Sequence, residues 1–301
     1  MPRTTKFIKW PGSKTAAAPI VGPIVAKRLE TATTLVVPFA GSLALCQWLH
    51  AHGHLEGKRV LCNDYNPWLI NAWRVVRDEA ASEKLVEKLE ELTRVWHALT
   101  EEGKEEAYLN LREKLRGEPE GGPRAPGDAA LFLFFNRTCF NGIWRESVKS
   151  GLNVPIGKRA NGGFLKLPNW EKCIEAGSWV RDVDFEFCQG DFRNFLDCLW
   201  GDRATWVVYA DPPYYKKFVN YNKLGFKDAD QMDVIAHLES IADKGGCSIL
   251  SNSADLVYLR QTSGAHALDI NKWTYNFFDS KTSVSCAKDK GELKEILAVL
   301  G

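Results

Sequence analysis

Residues 207–214 constrain the fold more than any other part of the chain. Their sequence, Val-Val-Tyr-Ala-Asp-Pro-Pro-Tyr, is an apolar run of strand type that stops at an acid, two prolines and an aromatic residue. Proline lacks the amide that a strand ladder needs, so the strand must end there. In an open α/β sheet, ligands bind beyond the carboxyl ends of the strands. Asp211 and Tyr214 are therefore predicted to lie at the mouth of a site.

The Asp211–Tyr214 segment combines an anionic acceptor, backbone carbonyls and a flat ring. The two prolines hold those carbonyls on rigid backbone without a competing amide. This set suits a planar base that carries an amino group. The alternative is a proline-rich turn closed by a surface tyrosine, and the motif alone leaves both interpretations open.

The composition indicates a globular protein. Of 301 residues, 45% are hydrophobic and 11% aromatic, enough for one large or two ordinary domains. The net charge is only +1, so a nucleic-acid surface requires local clustering of basic residues. Eight cysteines show no Cys-x-x-Cys spacing, which argues against a zinc module or disulfide framework and favours a reducing cytoplasm.

Neither secretion, membrane spanning nor metal binding is expected. The chain shows no apolar signal segment and no apolar run of 18 residues. His50, His52 and His54 resemble a run of metal ligands. Without a nearby acid or cysteine they are more typical of a polar helix end closed by Gly53.

A degenerate nucleotide-binding βαβ pattern occupies the first part of the chain. Its predicted elements are a strand at Thr34–Phe39, a helical run from Gly41-Ser42 to Leu49 and a strand at Lys58–Cys62. The acid that follows, Asp64, is placed to bind ribose hydroxyls. Gly41 is the one glycine of the usual fingerprint, and Leu43 stands where a second is expected.

The α/β alternation stops after a predicted helix at Pro67–Arg77 and returns near Asp184. In between, Leu85 to Leu99 has the spacing of an amphipathic helix, and 117–127 is a linker-like loop. Further strands are predicted at Phe185–Cys188, Thr205–Ala210, Cys247–Ser251, Ala267–Ile270 and Leu293–Val299, and helices at Phe192–Leu199 and Asp230–Ala242. Asp228 and Gln231 are predicted to cap the last helix. The pattern predicts a doubly wound sheet with an inserted module at roughly 67–165.

The insert contains a basic segment. Residues 137–166 carry six basic side chains and one acid, a local net charge of +5. The basic residues are Arg137, Arg145, Lys149, Lys158, Arg159 and Lys166, interleaved with Phe140, Asn141, Trp144, Asn153 and Pro155. Cations for phosphates thus lie beside groups that can wedge between bases or hydrogen-bond to them. A solvated basic hairpin, or an Arg/Trp pair packed on the core, is the alternative to the favoured DNA contact.

Several segments together resemble the Dam-like, alpha-group family of adenine-N6 DNA methyltransferases. Asp211–Tyr214 resembles its catalytic motif, and Asp64 the acid of its second strand. The other matching segments are Lys9-Trp10-Pro11-Gly12-Ser13-Lys14, Pro38-Phe39-Ala40-Gly41-Ser42, Asn136-Arg137, Phe140-Asn141-Gly142, Arg145, Asn153-Val154-Pro155-x-Gly157 and Gly190-Asp191-Phe192, with looser matches at Ser251-Asn252, Ser283-Val284-Ser285-Cys286 and Glu295-Ile296-Leu297. Val37 and Leu43 depart from the family's pattern, which has an acid and a glycine there.

The resemblance implies a Rossmann-like sheet dependent on S-adenosylmethionine, with an inserted, mainly helical target-recognition domain carrying a β-hairpin. The implied catalytic domain is 1–66 with 166–301, and the DNA-binding domain is 67–165. The implied reaction is methyl transfer to N6 of an adenine flipped out of duplex DNA, within GATC or a close relative. A cytosine-N4 methyltransferase and a catalytically silent DNA-binding relative are the alternatives. A monomer in prokaryotic or viral-host cytoplasm, associated with the nucleoid, is expected.

Individual roles also carry over from the family. The implied catalytic residues are Asp211, Pro212, Pro213 and Tyr214. The implied cofactor contacts are Trp10, Gly12, Lys14, Phe39, Gly41, Ser42, Asp64, Asp191 and Phe192. The implied DNA contacts are Lys9, Arg137, Phe140, Asn141, Ile143, Arg145, Asn153, Pro155 and Lys158. Structural alternatives stand beside three of these: Trp10 as core, Asp64 as a turn acid and Asp191 as a helix N-cap.

Overall fold

A computed structural model of the chain describes residues 6–117, 122–147, 149–215, 225–258, 268, 272–280 and 293–301. Packing divides these residues into two units. The first combines the chain before Gly12 with Asn66–Asp182, and the second combines Gly12–Tyr65 with the chain after Asp182. The first unit thus takes in residues 166–182 and the N-terminal segment as well as the whole predicted insert. The functional assignment of the two parts stays a prediction.

The described elements alternate between helices and strands at both ends of the chain and are mainly helical in the middle. The helices are α1 (Ala18–Leu29), α2 (Ala44–Ala51), α3 (Pro67–Arg77), α4 (Glu79–Ala98), α5 (Glu101–Arg116), α6 (Pro126–Thr138), α7 (Trp170–Ser178), α8 (Phe192–Cys198) and α9 (Asp228–Ala242). The strands are β1 (Thr34–Val37), β2 (Arg59–Asp64), β3 (Glu146–Ser147), β4 (Gly151–Leu152), β5 (Asp184–Gln189), β6 (Trp206–Ala210), β7 (Cys247–Ser253), β8 (Thr274–Ser280) and β9 (Leu293–Leu300). None of the helices in these ranges is long and apolar enough to cross a membrane.

The second unit is built on a mostly parallel sheet. Within the described part of the chain the sheet has seven strands in the order β5-β2-β1-β6-β7-β9-β8. The first four pairings are parallel, and β9 runs antiparallel to both β7 and β8. The chain moves outward from β1 through β2 to β5 and then returns to β6, on the other side of β1. This reversal of strand order is the switch point at which α/β sheets bind ligands.

Both faces of the sheet are covered, as the doubly wound prediction requires. Val36, Leu61 and Val208 pack with α8 and α9 in one buried cluster. The alternate residues Leu35 and Val207 are equally buried, and side chains alternate between the two faces of a strand. Continuous apolar runs such as Trp206–Ala210 are typical of parallel strands buried on both sides.

The first unit is a helical assembly around α6. Nine of the thirteen residues of α6 are buried, including Phe132 and Phe135. A helix that is buried on all sides is the centre of a bundle, and α3, α4 and α5 pack against it. The β3–β4 hairpin belongs to the same unit.

Local signals located some elements accurately. Helix α3 begins and ends as predicted because Pro67 takes its first position and Asn66 caps it, accepting a 2.9 Å hydrogen bond from the Leu69 amide. The helix predicted from Gly41-Ser42 begins later, at Ala44, because Gly41 and Leu43 have left-handed φ values of 50° and 51°. The predicted strand at 267–270 lies outside the described residues except for Leu268.

Two details of the prediction were wrong. The sequence signals missed β8, whose Thr-Tyr-Asn-Phe-Phe-Asp-Ser sequence lacks a regular apolar alternation. Helix α9 is not capped by Asp228 and Gln231: its N-cap is Lys227, whose amide donates to Asp230 Oδ2 at 2.6 Å. Gln231 instead points into the protein, where it is 3% exposed.

The packing of α1 generates a stability prediction. Gly22 lies under the Trp48 ring, and an added Cβ would overlap that ring. We expect Gly22→Ala to lower the free energy of unfolding by about 1–3 kcal/mol, the usual cost of overpacking. Gly127→Ala is the matched control, because Gly127 is also helical but faces open space. The control should leave thermal stability unchanged or raise it slightly. Equal melting temperatures for the two variants would contradict the expectation.

Candidate functional site

Parallel strands bring the predicted site residues of the second unit to one edge of the sheet. Phe39 follows β1, Asp64 ends β2, Asp191 follows β5 and Asp211 follows β6. Because these four strands are mutually parallel, their carboxyl ends face the same way. The structure therefore gathers the cofactor and catalytic candidates of this unit at the edge where ligands bind such sheets.

Asp211 forms an ion pair with a residue that was predicted to bind the cofactor. Lys14 Nζ lies 2.8 Å from Asp211 Oδ1, and the two side chains are 8% and 18% exposed. The same ammonium donates to the Gly12 carbonyl at 3.1 Å and lies 4.6 Å from the centroid of the Tyr214 ring. The structure thus places Lys14 against the predicted catalytic motif, where its charge offsets that of Asp211.

The Tyr214 side chain is held at its hydroxyl as well as over its ring. Its hydroxyl donates to Glu295 Oε2 at 2.8 Å and lies 2.9 Å from Ser251 Oγ. Burial, together with the carboxylates of Asp211 and Glu295, raises the pKa of Tyr214 well above its ordinary value. The phenol therefore stays protonated and acts as a hydrogen-bond donor.

Two buried amides fix the backbone of the motif. Gln231 Nε2 donates to the Pro213 carbonyl at 2.7 Å, and the Tyr215 amide donates to Asn252 Oδ1 at 2.9 Å. Asn252 Nδ2 in turn donates to Gln231 Oε1 at 3.1 Å. The role of Gln231 was not predicted from the sequence. The available signal was a polar residue in register with the core positions Val234 and Leu238 on one face of α9.

The turn after β1 is connected to the acid at the end of β2. The Gly41 amide donates to Asp64 Oδ2 at 2.9 Å, and Ser42 Oγ donates to Ser13 Oγ at 2.8 Å. Leu43, which replaces the expected glycine, adopts the left-handed conformation that glycine accommodates most easily and is nevertheless buried. The turn therefore keeps a glycine-like geometry at the position where the sequence departs from the family.

Aromatic side chains lie beside these groups. The ring centroids of Phe39 and Phe192 are 5.2 Å apart, and they lie 6.0 and 6.1 Å from the centroid of Phe226.

Asp191 caps α8 by accepting a hydrogen bond from the Arg193 amide at 2.8 Å, and it also forms an ion pair with the Arg193 guanidinium. The structure thus shows the helix-cap role that was considered for Asp191.

These residues fit a nucleoside-containing cofactor by their chemistry. The carboxylate of Asp64 can accept hydrogen bonds from ribose hydroxyls, and the faces of Phe39 and Phe192 suit a planar base. Trp10 belongs instead to the first unit, where its ring lies 6.4 Å from that of Phe132.

In the first unit, the predicted recognition residues cluster on and beside the β3–β4 hairpin. Arg145 donates through Nε to Asn153 Oδ1 at 2.8 Å and through Nη2 to the Asn153 carbonyl at 3.2 Å. The Phe140 amide donates to the Pro155 carbonyl at 2.9 Å. Phe140 is 38% exposed, and Asn141 has a left-handed φ of 56°. The exposed side chains of Phe140 and Asn141 thus belong to the same part of the unit as Arg145, whose orientation is fixed by Asn153.

Side chains of α5 donate hydrogen bonds to the backbone of the hairpin, a role that the sequence did not indicate. Tyr108 Oη and Arg112 Nη1 both donate to the Val154 carbonyl, at 2.8 and 3.2 Å. Arg116 Nε donates to the Leu152 carbonyl at 2.8 Å. Burial raises the pKa of Tyr108, so this hydroxyl remains a donor. Side chains on one face of α5 therefore set the position of β4.

Two residues predicted to contact DNA have other partners. Arg137 is 7% exposed, and its guanidinium donates to the Phe7 carbonyl at 3.0 Å and to Cys173 Sγ at 3.2 Å. A buried guanidinium bound to backbone cannot neutralise a phosphate, so the prediction for Arg137 is corrected. Lys158 forms an exposed ion pair of 2.6 Å with Glu105. The +5 charge of the segment therefore overstates the free positive charge on its surface.

Lys9 is anchored by its backbone to α6. Its amide donates to Asn136 Oδ1 at 3.0 Å, and its carbonyl accepts from Asn136 Nδ2 at 2.7 Å. Asn136 Nδ2 also donates to the Gly142 carbonyl at 3.0 Å, which joins the N-terminal segment to the Phe140–Gly142 turn. Burial and the Arg137 guanidinium lower the pKa of Lys9. Lys9 and the turn thus form one assembly in the first unit.

The sheet order and the polar loops at the carboxyl ends of β2, β5 and β6 define a doubly wound α/β protein of the Rossmann-like class. The chain belongs to the family of D12 class N6 adenine-specific DNA methyltransferases, whose sequence profile matches residues 10–282. The predicted Dam-like family and adenine-N6 specificity are thereby confirmed, and the protein is an adenine-specific DNA methyltransferase. Its place in the alpha group stays a prediction.

Individual relatives agree with this assignment. The chain is 28% identical to the type II methyltransferase M.MjaIII of Methanocaldococcus jannaschii, over 82% of this chain and 83% of the relative. It is 29% identical to the retron Ec67 DNA adenine methylase of Escherichia coli, over 98% and 91%. A solved rRNA methyltransferase, aviRa of Streptomyces viridochromogenes, aligns over 97% of this chain and 86% of its own, with 13% identity and a TM-score of 0.39.

The basic segment contains both buried and exposed basic side chains, and Arg137 is a buried one. Arg137→Leu removes the hydrogen bonds to Phe7 and Cys173, and we expect the free energy of unfolding to fall by about 1.5–3 kcal/mol. Lys149→Ala changes an exposed lysine and should leave thermal stability unaltered. Differential scanning calorimetry of both variants measures the difference. A melting temperature for Arg137→Leu equal to that of the wild type would contradict the structural role.

Proposed function

We propose that this protein flips an adenine out of duplex DNA and methylates its N6, with S-adenosylmethionine as the methyl donor. One observation carries the proposal. The ammonium nitrogen of Lys14 lies between the Asp211 carboxylate and the face of the Tyr214 ring. The site therefore already accommodates a nitrogen with N–H donors against a carboxylate and an aromatic face. The exocyclic amino group of a stacked adenine is neutral, but it too presents N–H donors to a carboxylate beside an aromatic face.

The hydrogen-bond acceptors of the Asp211–Tyr214 loop can make the adenine amino nitrogen more nucleophilic. The amino nitrogen of adenine is a poor nucleophile because its lone pair is delocalised into the ring. Asp211 and the Pro212 carbonyl would accept its two hydrogens and draw the nitrogen toward a tetrahedral form with an available lone pair. Gln231 and Asn252 hold the backbone of this loop, so the acceptors are oriented before the base arrives.

Entry of the base would give Asp211 a second partner. An ionised carboxylate has about four acceptor positions, so Asp211 can accept from an adenine amino group at a position that Lys14 does not use. Lys14 would move off the face of Tyr214 on which the base stacks. The ammonium can keep its bond to the Gly12 carbonyl and so remain near the site. Asp211 is the acceptor of the proton that the nitrogen loses after methyl transfer, or passes it to water.

S-adenosylmethionine, when bound, supplies an electrophilic methyl group. Asp64 would hold its ribose hydroxyls, and Phe39 and Phe192 would contact its adenine. Gly41 and Ser42 would form the turn against which the cofactor binds. Gly12 accepts a hydrogen bond from Lys14 and would lie beside the cofactor. The hydrogen bond between Gly41 and Asp64 holds the turn and the acid together.

Flipping the base is compensated by stacking. Extrusion of a nucleotide costs a few kcal/mol, and stacking on an aromatic side chain returns about 1–3 kcal/mol. Tyr214 would provide that stacking surface, and Phe140 or Asn141 would fill the gap left in the duplex.

Substitution of Asp211 tests the proposed reaction. Asp211→Asn retains an oxygen near Lys14 but removes the charge, and we expect methyl transfer to fall about 10- to 100-fold, the value of a charge-assisted hydrogen bond. Binding of S-adenosylmethionine, measured by calorimetry, should stay within a few-fold of wild type. The assay follows labelled methyl incorporation into a duplex that contains GATC, and hydrolysis of the product identifies the methylated base. Label on cytosine in place of adenine would refute adenine specificity.

A second test concerns the target sequence, which we propose to be GATC or a close relative. Arg145 would bind guanine through a bidentate contact worth about 1–3 kcal/mol of discrimination. Its two hydrogen bonds to Asn153 fix the guanidinium plane, and Ile143 and Pro155 offer apolar contact to a thymine methyl.

Arg145→Ala should relax the choice of base at one guanine position when the base pairs of the target are varied one at a time. Lys149→Ala is the control and should weaken binding equally for all sequences, with a smaller salt dependence. A uniform loss for Arg145→Ala would show that it contacts only phosphate.

A further inference from the structure

The hydroxyl of Tyr214 is held by two adjacent strands of the sheet. Ser251 lies on β7 and Glu295 on β9, and these strands pair antiparallel, with Ser253 opposite Glu295. The hydroxyl lies 2.9 Å from the Ser251 oxygen and 2.8 Å from a Glu295 oxygen. An aromatic ring that serves only as a stacking surface would not require a carboxylate at its far end.

Glu295 is an unusual residue at its position. It is 5% exposed at the start of a run, Ile296–Val299, that is otherwise apolar core. Burial of a carboxylate is costly unless it is hydrogen-bonded. The protonated Tyr214 hydroxyl supplies one such bond. A leucine at this position would pack without that cost, so the carboxylate has to be explained by what it binds.

The contacts determine the orientation of the ring from both ends. Gln231 and Asn252 hold the backbone on either side of Tyr214 at Pro213 and Tyr215. The hydrogen bond to Glu295 then removes the remaining freedom of the side chain, because a tyrosine side chain has two rotatable bonds. The face of the ring, over which Lys14 lies, thereby keeps one orientation next to the Lys14–Asp211 pair.

We propose that Glu295 is a positioning residue for adenine methylation, which acts through the Tyr214 hydroxyl to set the plane on which the target base stacks. The inference rests on the proposed function. It implies that the hydroxyl of Tyr214 matters as well as the ring, so that Tyr214→Phe is not a neutral change. Glu295 itself does not contact the base.

The test compares Glu295→Leu with the conservative Glu295→Gln, whose amide oxygen can still accept a hydrogen bond from the Tyr214 hydroxyl. We expect Glu295→Leu to lower kcat about 10- to 100-fold, the range for a hydrogen bond to a charged group, with KM for DNA changed little. Glu295→Gln should recover most of the activity. Glu239→Leu is the matched control: Glu239 is a half-buried carboxylate of the same unit that accepts a 3.1 Å hydrogen bond from the Trp273 indole, and kcat should be unaffected.

Two further measurements distinguish orientation from loss of folding. Duplexes with 2-aminopurine at the target position report stacking, and we expect brighter fluorescence in the complex with Glu295→Leu than in the wild-type complex. In a double-mutant cycle, Tyr214→Phe and Glu295→Leu should together cost no more than the larger single effect. Thermal melting measures the folded fraction of each variant.

Three outcomes would overturn the proposal: unchanged kcat in folded Glu295→Leu, additive effects in the cycle, or equal quenching of 2-aminopurine in the two complexes. Failure of the proposed function is distinguishable, because the wild-type protein itself would then leave adenine unmethylated.

Discussion

The parallel alignment of β1 with β2 and β6 is the constraint on which the site depends. Val36 lies opposite both Leu61 and Val208, so the three strands are in register and end at one edge. A shift of register would move the acids that follow β2 and β6 away from the turn after β1. The hydrogen bond from Gly41 to Asp64 is a direct consequence of this alignment. Apolar burial on both sheet faces therefore specifies the geometry of a polar site.

The motif after β6 cannot stabilise itself. Two prolines leave it without amides for a regular ladder, and its acid is largely buried. Gln231, Asn252 and Lys14 provide the missing partners from three separate elements. Because an unsatisfied buried polar group costs about 1–3 kcal/mol, such a network favours one conformation of the loop over others. The resulting rigidity is what electrostatic catalysis requires of its acceptors.

The helical unit shows how charge in a sequence differs from charge on a surface. The basic segment contains Arg137, which is buried in backbone contacts, and Lys158, which pairs with Glu105. Arg145 is instead oriented by Asn153 within the hairpin. The residues that remain suited to base contact lie around the Phe140–Gly142 turn and the hairpin. The surface that we propose for recognition is thus smaller than the charge count indicates.

The sequence by itself determined the apolar strands, the stop at Pro212 and the helix that begins at Pro67, because these features depend on local backbone chemistry and periodicity. The motifs also determined the family. Only the tertiary structure decided that Lys14 pairs with Asp211, that Gln231 supports the loop and that Glu295 accepts the Tyr214 hydroxyl. Each of these contacts joins residues far apart in the chain. A side chain's type limits the bonds it can make, but its partner depends on which elements the packed core brings together.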